Sequence, residues 1–386
     1  MNNAANPPGS KVIYLDHNAT TPVLPEVLEA LLPYLRDQFG NPSSEHSLGR
    51  RSRDAVERAR EQVAATLSCR PDEILFTSGG TESNNLAIRG AAAVADADRR
   101  RLVTSCVEHP ATLRPCEYLE KAGWALSLLP VRESGHVDAG VIRRVMGRDV
   151  ALVSLMLAQN ETGALMPVAE AADAAHVVGA LAHTDAAQAV GKIKVDVDAL
   201  GVDLLTVAGH KCYAPKGVGA LYVRHGTAVA PVLLGGGQER GMRPGTENVA
   251  GIVALGVACE SATARLPAES GRIARLRDDL WATLHAAVPG LTRHTAKNVL
   301  PNTLNVSFPD VSGRDLLALA DGVAASTGSA CHANEATPSA VLLAMGVTPE
   351  VARGAVRLSL GHSSSAADIQ RASSVLCSAY QRLSDA

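Results

Sequence analysis

The chain has 386 residues, 46% of them hydrophobic and 19% charged, with a formal net charge of −3. That size and balance allow a large core divided between two domains, and the small mixed charge gives no general attraction to nucleic acid or to a membrane surface. Seven cysteines are scattered without a CxxC pair, which argues against a structural zinc site, any other metal or a disulfide frame.

Residues 1–10 are polar and Pro-rich and read as a tail, with no basic start, apolar core and cleavage site. No uninterrupted apolar stretch reaches spanning length, and the scattered cysteines lead to the expectation of a reducing cytoplasm. A short strand over 11–15 runs into a polar turn, residues 16–22. Helices are expected over 25–35 and 49–67, the second with Ala55, Val56, Ala59, Val63 and Leu67 at helical spacing. Then a unit repeats: an apolar strand, a polar cluster at its end, a helix. The strands are 74–78, 102–107, 151–158, 181–184 and 204–208. Their ends carry, in turn, Gly80 and Thr81, Glu108 and His109, Asn160 and Glu161, Asp185 and Gln188, and His210 and Lys211.

Continuous apolar strands alternating with helices predict a mostly parallel α/β sheet covered on both faces. Ligands of such sheets lie outside the carboxyl ends of the strands, so five polar strand ends predict one pocket. Residues 219–223 read as a further strand, and 233–248 as a Gly-rich functional loop. A bridging helix is expected over 249–266 and a second over 271–288. The remainder, with strands at 304–308 and 356–360, suggests a smaller α+β domain. The expected division is 1–16 as tail and a segment joining the small domain, 17–260 as the large domain, and 261–386 as the small one.

A lysine at a strand end can form a Schiff base with an aldehyde cofactor. Gly80 and Thr81 open a helix whose N–H groups suit a phosphate. Each residue also has an ordinary reading: Lys211 as a loop lysine, Asp185 or Thr81 as a helix cap, His109 as a structural histidine, Arg357 as a surface arginine, Cys331 as a chance loop thiol.

The ordered set of motifs settles on a family. Asn18-Ala19-Thr20-Thr21-Pro22, Gly40 to Ser44, Thr77 to Asn85, Asn160-Glu161-Thr162-Gly163, His183 to Gln188, Gly209-His210-Lys211, Arg243 to Thr246 and Gly328 to Cys331 resemble the pyridoxal-phosphate (PLP) cysteine desulfurases and selenocysteine lyases of the aminotransferase class V superfamily. They run through essentially the whole chain.

The resemblance implies fold type I of the PLP-dependent transferases. It implies that Lys211 holds the cofactor and moves the substrate Cα proton, and that Asp185 pairs with the pyridine nitrogen. Gln188 would reach the ring oxygen, and His109 would stack on the ring and shuttle protons. Gly80, Thr81, His210 and Thr246 would hold the phosphate, Thr246 from the neighbouring subunit of a homodimer. Asn18 and Asn160 would contact substrate or cofactor, Arg357 would take the α-carboxylate, and Cys331 would receive sulfur from L-cysteine as a persulfide for an acceptor protein. Ala208 replaces the serine common in desulfurases, and His332 after Cys331 is a lyase-like feature. The spacing from Cys331 to Pro338 looks like the longer-loop desulfurases. From these residues L-selenocysteine remains the alternative substrate.

Overall fold

A computed structural model describes residues 12–294, 297–328 and 338–385. A first strand, β1 (Ile13–Tyr14), lies apart from the main sheet. That sheet is built from β2 (Ile74–Thr77), β3 (Arg101–Ser105), β4 (Ala125–Leu129), β5 (Val150–Ser154), β6 (Leu181–Asp185), β7 (Leu204–Ala208) and β8 (Gly219–Val223), in the order β2-β8-β7-β6-β5-β3-β4. Only β8 runs antiparallel to its neighbours within it. β5 and β7 are buried at every position, because helices cover both faces of a parallel sheet and leave no side to water. β4 forms the edge and is half-exposed.

Two glycines let the chain reach the pocket side of this sheet. Gly79, at φ 144°, makes the turn from β2 into the helix Gly80–Val94, a conformation that suits glycine. Gly219 meets that turn: a Cβ there would lie 2.7 Å from the Gly79 Cα and 2.5 Å from the Val207 carbonyl oxygen.

A second core is assembled around β9 (Thr292–Arg293), β10 (Thr303–Ser307), β11 (Val323–Ala324) and β12 (Ala355–Ser359). β10 pairs antiparallel with β12 and β9, and β1 pairs parallel with β11 through Ile13 opposite Val323. Leu304, Val306, Phe308, Val356, Leu358 and Leu376 pack there together with Ile13 and Leu15 from the start of the chain.

One expectation is corrected. Instead of two helices over 249–266 and 271–288, a single 39-residue helix runs Val249–Ala287, with Pro267 inside it. Its first half puts Ala254, Leu255 and Cys259 into the main core and its second half puts Ile273, Leu280 and Leu284 into the second. Packing on both sides of Pro267 holds a helix that the lost N–H alone would break. Among the described helices it alone is long and apolar enough to cross a membrane by length and composition.

Candidate active site

The carboxyl ends of β2, β3, β5, β6 and β7 open onto one cavity of about 740 Å³. It is lined by Asn18, Gly80, Thr81, His109, Asn160, Asp185, Gln188, His210, Lys211 and Arg357. Two expected site residues are not there. Thr246 sits in an exposed loop and does not line the cavity, and Cys331 lies outside the described residues. The ends of the described chain on either side of Cys331, Gly328 and Pro338, do line it.

Asp185 ends β6 with its carboxylate nearly buried, at 7% exposure. Oδ2 accepts from Asn84 Nδ2 at 2.7 Å and Oδ1 from the Ala187 N–H at 2.9 Å. The alternative reading of Asp185 as a helix cap has no helix to cap, since a turn follows β6. The helix Gly80–Val94 starts without any side-chain cap, so the N–H groups of its first turn remain for an anion at the positive end of its dipole.

His109 caps the helix Pro110–Lys121, its Nδ1 accepting from the Ala111 N–H at 3.1 Å. Neutral imidazole then carries its proton on Nε2. Burial first, and Lys211 next, lower its pKa, with Asp185 opposing. His210 is pushed down to about 4 by burial and by Lys211. Its Nδ1 lies 3.2 Å from Thr20 Oγ1, so at neutral pH it can offer an anion a hydrogen bond but no charge.

Lys211 follows β7 in a single tight turn, Gly209–Lys211, and its Nζ donates to the Asn18 carbonyl at 3.2 Å. Asn18 is a junction. Its Nδ2 donates to Thr303 Oγ1 at 2.9 Å and to the Asn160 carbonyl at 3.2 Å. Its Oδ1 accepts from Asn302 Nδ2 at 3.0 Å and Lys192 Nζ at 3.2 Å. Its carbonyl also accepts from Gln188 Nε2 at 2.9 Å. The side chain expected to contact substrate is thus engaged with the protein at both ends of its amide.

Arg357 is 3% exposed in β12. Nη2 pairs with Asp16 Oδ1 at 2.7 Å, Nη1 donates to the Asn160 carbonyl at 3.0 Å, and Nε is buried without a partner. An unpaired buried donor on a cation beside the cavity is suited to a carboxylate. The surface-arginine reading is excluded by this burial.

Sequence reasoning assigned no role to several groups. Glu108, before His109, is buried and accepts from Ser105 Oγ at 2.7 Å and the Met156 N–H at 2.9 Å. Burial pushes its carboxyl up to about 8. Glu161 Oε2 accepts from Ser339 Oγ at 2.6 Å, and burial raises its pKa. Lys192 donates to Gln188 Oε1 at 2.7 Å. Lys192 had a local signal, four residues after Gln188, and Glu108 had Ser105 three residues before it; Met156 and Ser339 lie far along the chain.

An open, mostly parallel sheet with an amine, a carboxylate and an uncapped helix end at its strand termini is the arrangement in which α/β enzymes hold anionic ligands. The chain belongs to the aminotransferase class V family, whose model matches residues 13–372, and within that family it groups with the cysteine desulfurases. A relative from Dictyoglomus turgidum, named cysteine desulfurase IscS, is 46% identical over 352 residues, 90% of this chain and 89% of its own. Among solved structures, a NifS-like protein is similar at a TM-score of 0.90 and 35% identity, covering 97% of this chain and 100% of its own. A second, described as SspA in complex with cysteine, is similar at a TM-score of 0.80 and 35% identity, covering 90% and 98%. These relatives favour sulfur over the selenocysteine alternative.

Proposed function

We propose that this chain takes L-cysteine to L-alanine with PLP on Lys211, leaving the sulfur on Cys331 as a persulfide for an acceptor protein. The observation that carries the reading is the shared cavity of Lys211, Asp185, His109 and the uncapped start of the helix Gly80–Val94. These residues fit the cofactor. A carboxylate held by Asn84 and the Ala187 N–H suits a pyridinium nitrogen, and free helix N–H groups with Thr81 suit a phosphate. Gln188, His210 and Thr246 of the partner subunit complete the proposed cofactor contacts in a homodimer, and Asn18 and Asn160 shape the substrate end.

When bound, PLP supplies an electron sink for a carbanion at the substrate Cα. Arg357 holds the substrate α-carboxylate through its fork. Lys211 would remove the substrate Cα proton, and His109 would cover the cofactor ring and pass protons. The Cys331 thiolate attacks the substrate sulfur. An S–S bond forms, the substrate C–S bond breaks with its electron pair going to carbon, protonation of that carbon makes the methyl group, and return of a proton to Cα completes alanine. Free cysteines throughout the described chain fit a reducing cytoplasm.

The test is alanine release by PLP-loaded protein from L-cysteine and, separately, from L-selenocysteine. Cysteine turnover that disappears in Cys331→Ser supports the reading. Turnover of selenocysteine with cysteine acting only as an inhibitor would replace it with the lyase, and alanine from neither would refute both.

A further inference from the structure

Lys192 follows β6 by seven residues and is partly buried, with its amine turned inward. Nζ donates to Gln188 Oε1 at 2.7 Å and to Asn18 Oδ1 at 3.2 Å. Gln188 Nε2 in turn donates to the Asn18 carbonyl, which also accepts from Lys211 Nζ. One amine therefore grips the side chains of two residues that converge on the cofactor lysine. An amide side chain can turn over by 180° and exchange its oxygen for its NH₂. A lysine ammonium can only donate, so with Lys192 charged Gln188 must keep Oε1 toward it and present Nε2 on the opposite side.

We propose that Lys192 is a positioning residue of the active site, fixing the amide of Gln188 with its N–H groups toward the cofactor ring oxygen and Lys211. The inference rests on the reading of Gln188 as the ring-oxygen contact. A turned-over Gln188 would face that oxygen with another oxygen, a repulsive pair. Two acceptors, Gln188 Oε1 and Asn18 Oδ1, meet the Lys192 amine. Burial, together with Lys211 and Arg357, lowers its pKa, so the orientation it imposes is firmest where the amine holds its proton.

The experiment measures PLP affinity of the apo-protein and the visible absorption of the loaded protein for wild type, Lys192→Met and Lys192→Gln, with Gln188→Leu as a second background. Wild type should load PLP with a visible band; if it does not, the cofactor reading itself fails. Lys192→Met should bind PLP about tenfold more weakly, the weight of one oriented hydrogen bond, and shift the band. In the Gln188→Leu background the same change should cost less than about twofold, because the amide it orients is gone. Lys192→Gln, which keeps a donor in the site, should fall between, and serves if the methionine variant does not fold. Unchanged affinity and spectrum in either variant, or equal losses in both backgrounds, would overturn the role of Lys192 while leaving the cofactor reading intact.

Discussion

Arg357 and Asp16, 341 positions apart in the chain, form a 2.7 Å ion pair beside the cavity, with the arginine side chain 3% exposed and the aspartate side chain 20%. The pair fastens the start of the chain to β12 and orients the guanidinium. Arg357→Lys keeps the charge but loses the fork and the bond to the Asn160 carbonyl, so KM for L-cysteine should rise at least about tenfold with kcat less affected. Arg357→Met leaves Asp16 without its cation and should cost about 2–3 kcal/mol of stability, less than for a fully buried pair. Steady-state kinetics and denaturant titration separate the two effects; an unchanged KM in the lysine variant would remove Arg357 from substrate binding.

Cys331→Ser tests the sulfur step alone. Its hydroxyl cannot form the S–S bond, so alanine release from L-cysteine should fall below about one thousandth of wild type, while PLP loading stays normal. Retained turnover would mean that another route cleaves the C–S bond.

Acid should destabilise the fold. Burial holds His17, His183, His210 and His294 at about 4, and His109 is lowered as well. Between about 4 and the ordinary value of 6.5 the unfolded chain therefore binds more protons than the native one, and stability rises with pH. Glu108, pushed up to about 8 by burial, acts in the opposite sense: its contribution is present at low pH and lost as pH rises through 8. Glu161, raised by burial as well, acts in the same sense as Glu108, and the five lowered histidines outweigh the two raised carboxyls in the acid window. The melting temperature should fall between pH 7 and pH 5, and a flat or rising profile over that interval would contradict these buried states.

Gly328 adopts φ 96° at the edge of the cavity, and a Cβ there would lie 2.6 Å from Glu161 Oε2. Gly328→Ala should displace the carboxylate that holds Ser339. About 1–3 kcal/mol of stability should be lost, and cysteine turnover should drop while PLP affinity stays close to wild type. Loss of PLP affinity instead would show that the strain spreads into the cofactor end.

The strand ends were legible because each apolar run stops abruptly at a group that can do chemistry: Asp185 after β6, Lys211 after β7, His109 after β3. Covered parallel strands force that pattern. The partners of those groups were not legible. Asn18 meets Asn160, Gln188, Lys211, Asn302 and Thr303 across 142 to 285 residues of sequence, and no local spacing encodes such a junction. β4 escaped notice because an edge strand is not held to the apolar run of a covered one, and Ser127 interrupts it. The long helix was divided at Pro267 and Gly271 because the local chemistry of those residues favours a break. Tertiary packing on both sides overrode it.

The helix Val249–Ala287 also works as a phase lock. At 1.5 Å and about 100° per residue it is a rod of roughly 58 Å, seated in both cores. A residue added or removed near its middle would turn every side chain beyond that point by about 100°. Leu280 and Leu284 would then face away from Leu304 and Leu358. Length in this stretch is therefore quantised by the pitch of the helix. Changes in chain length must be taken up at exposed positions such as Leu234, where the angular register of neither core depends on the count.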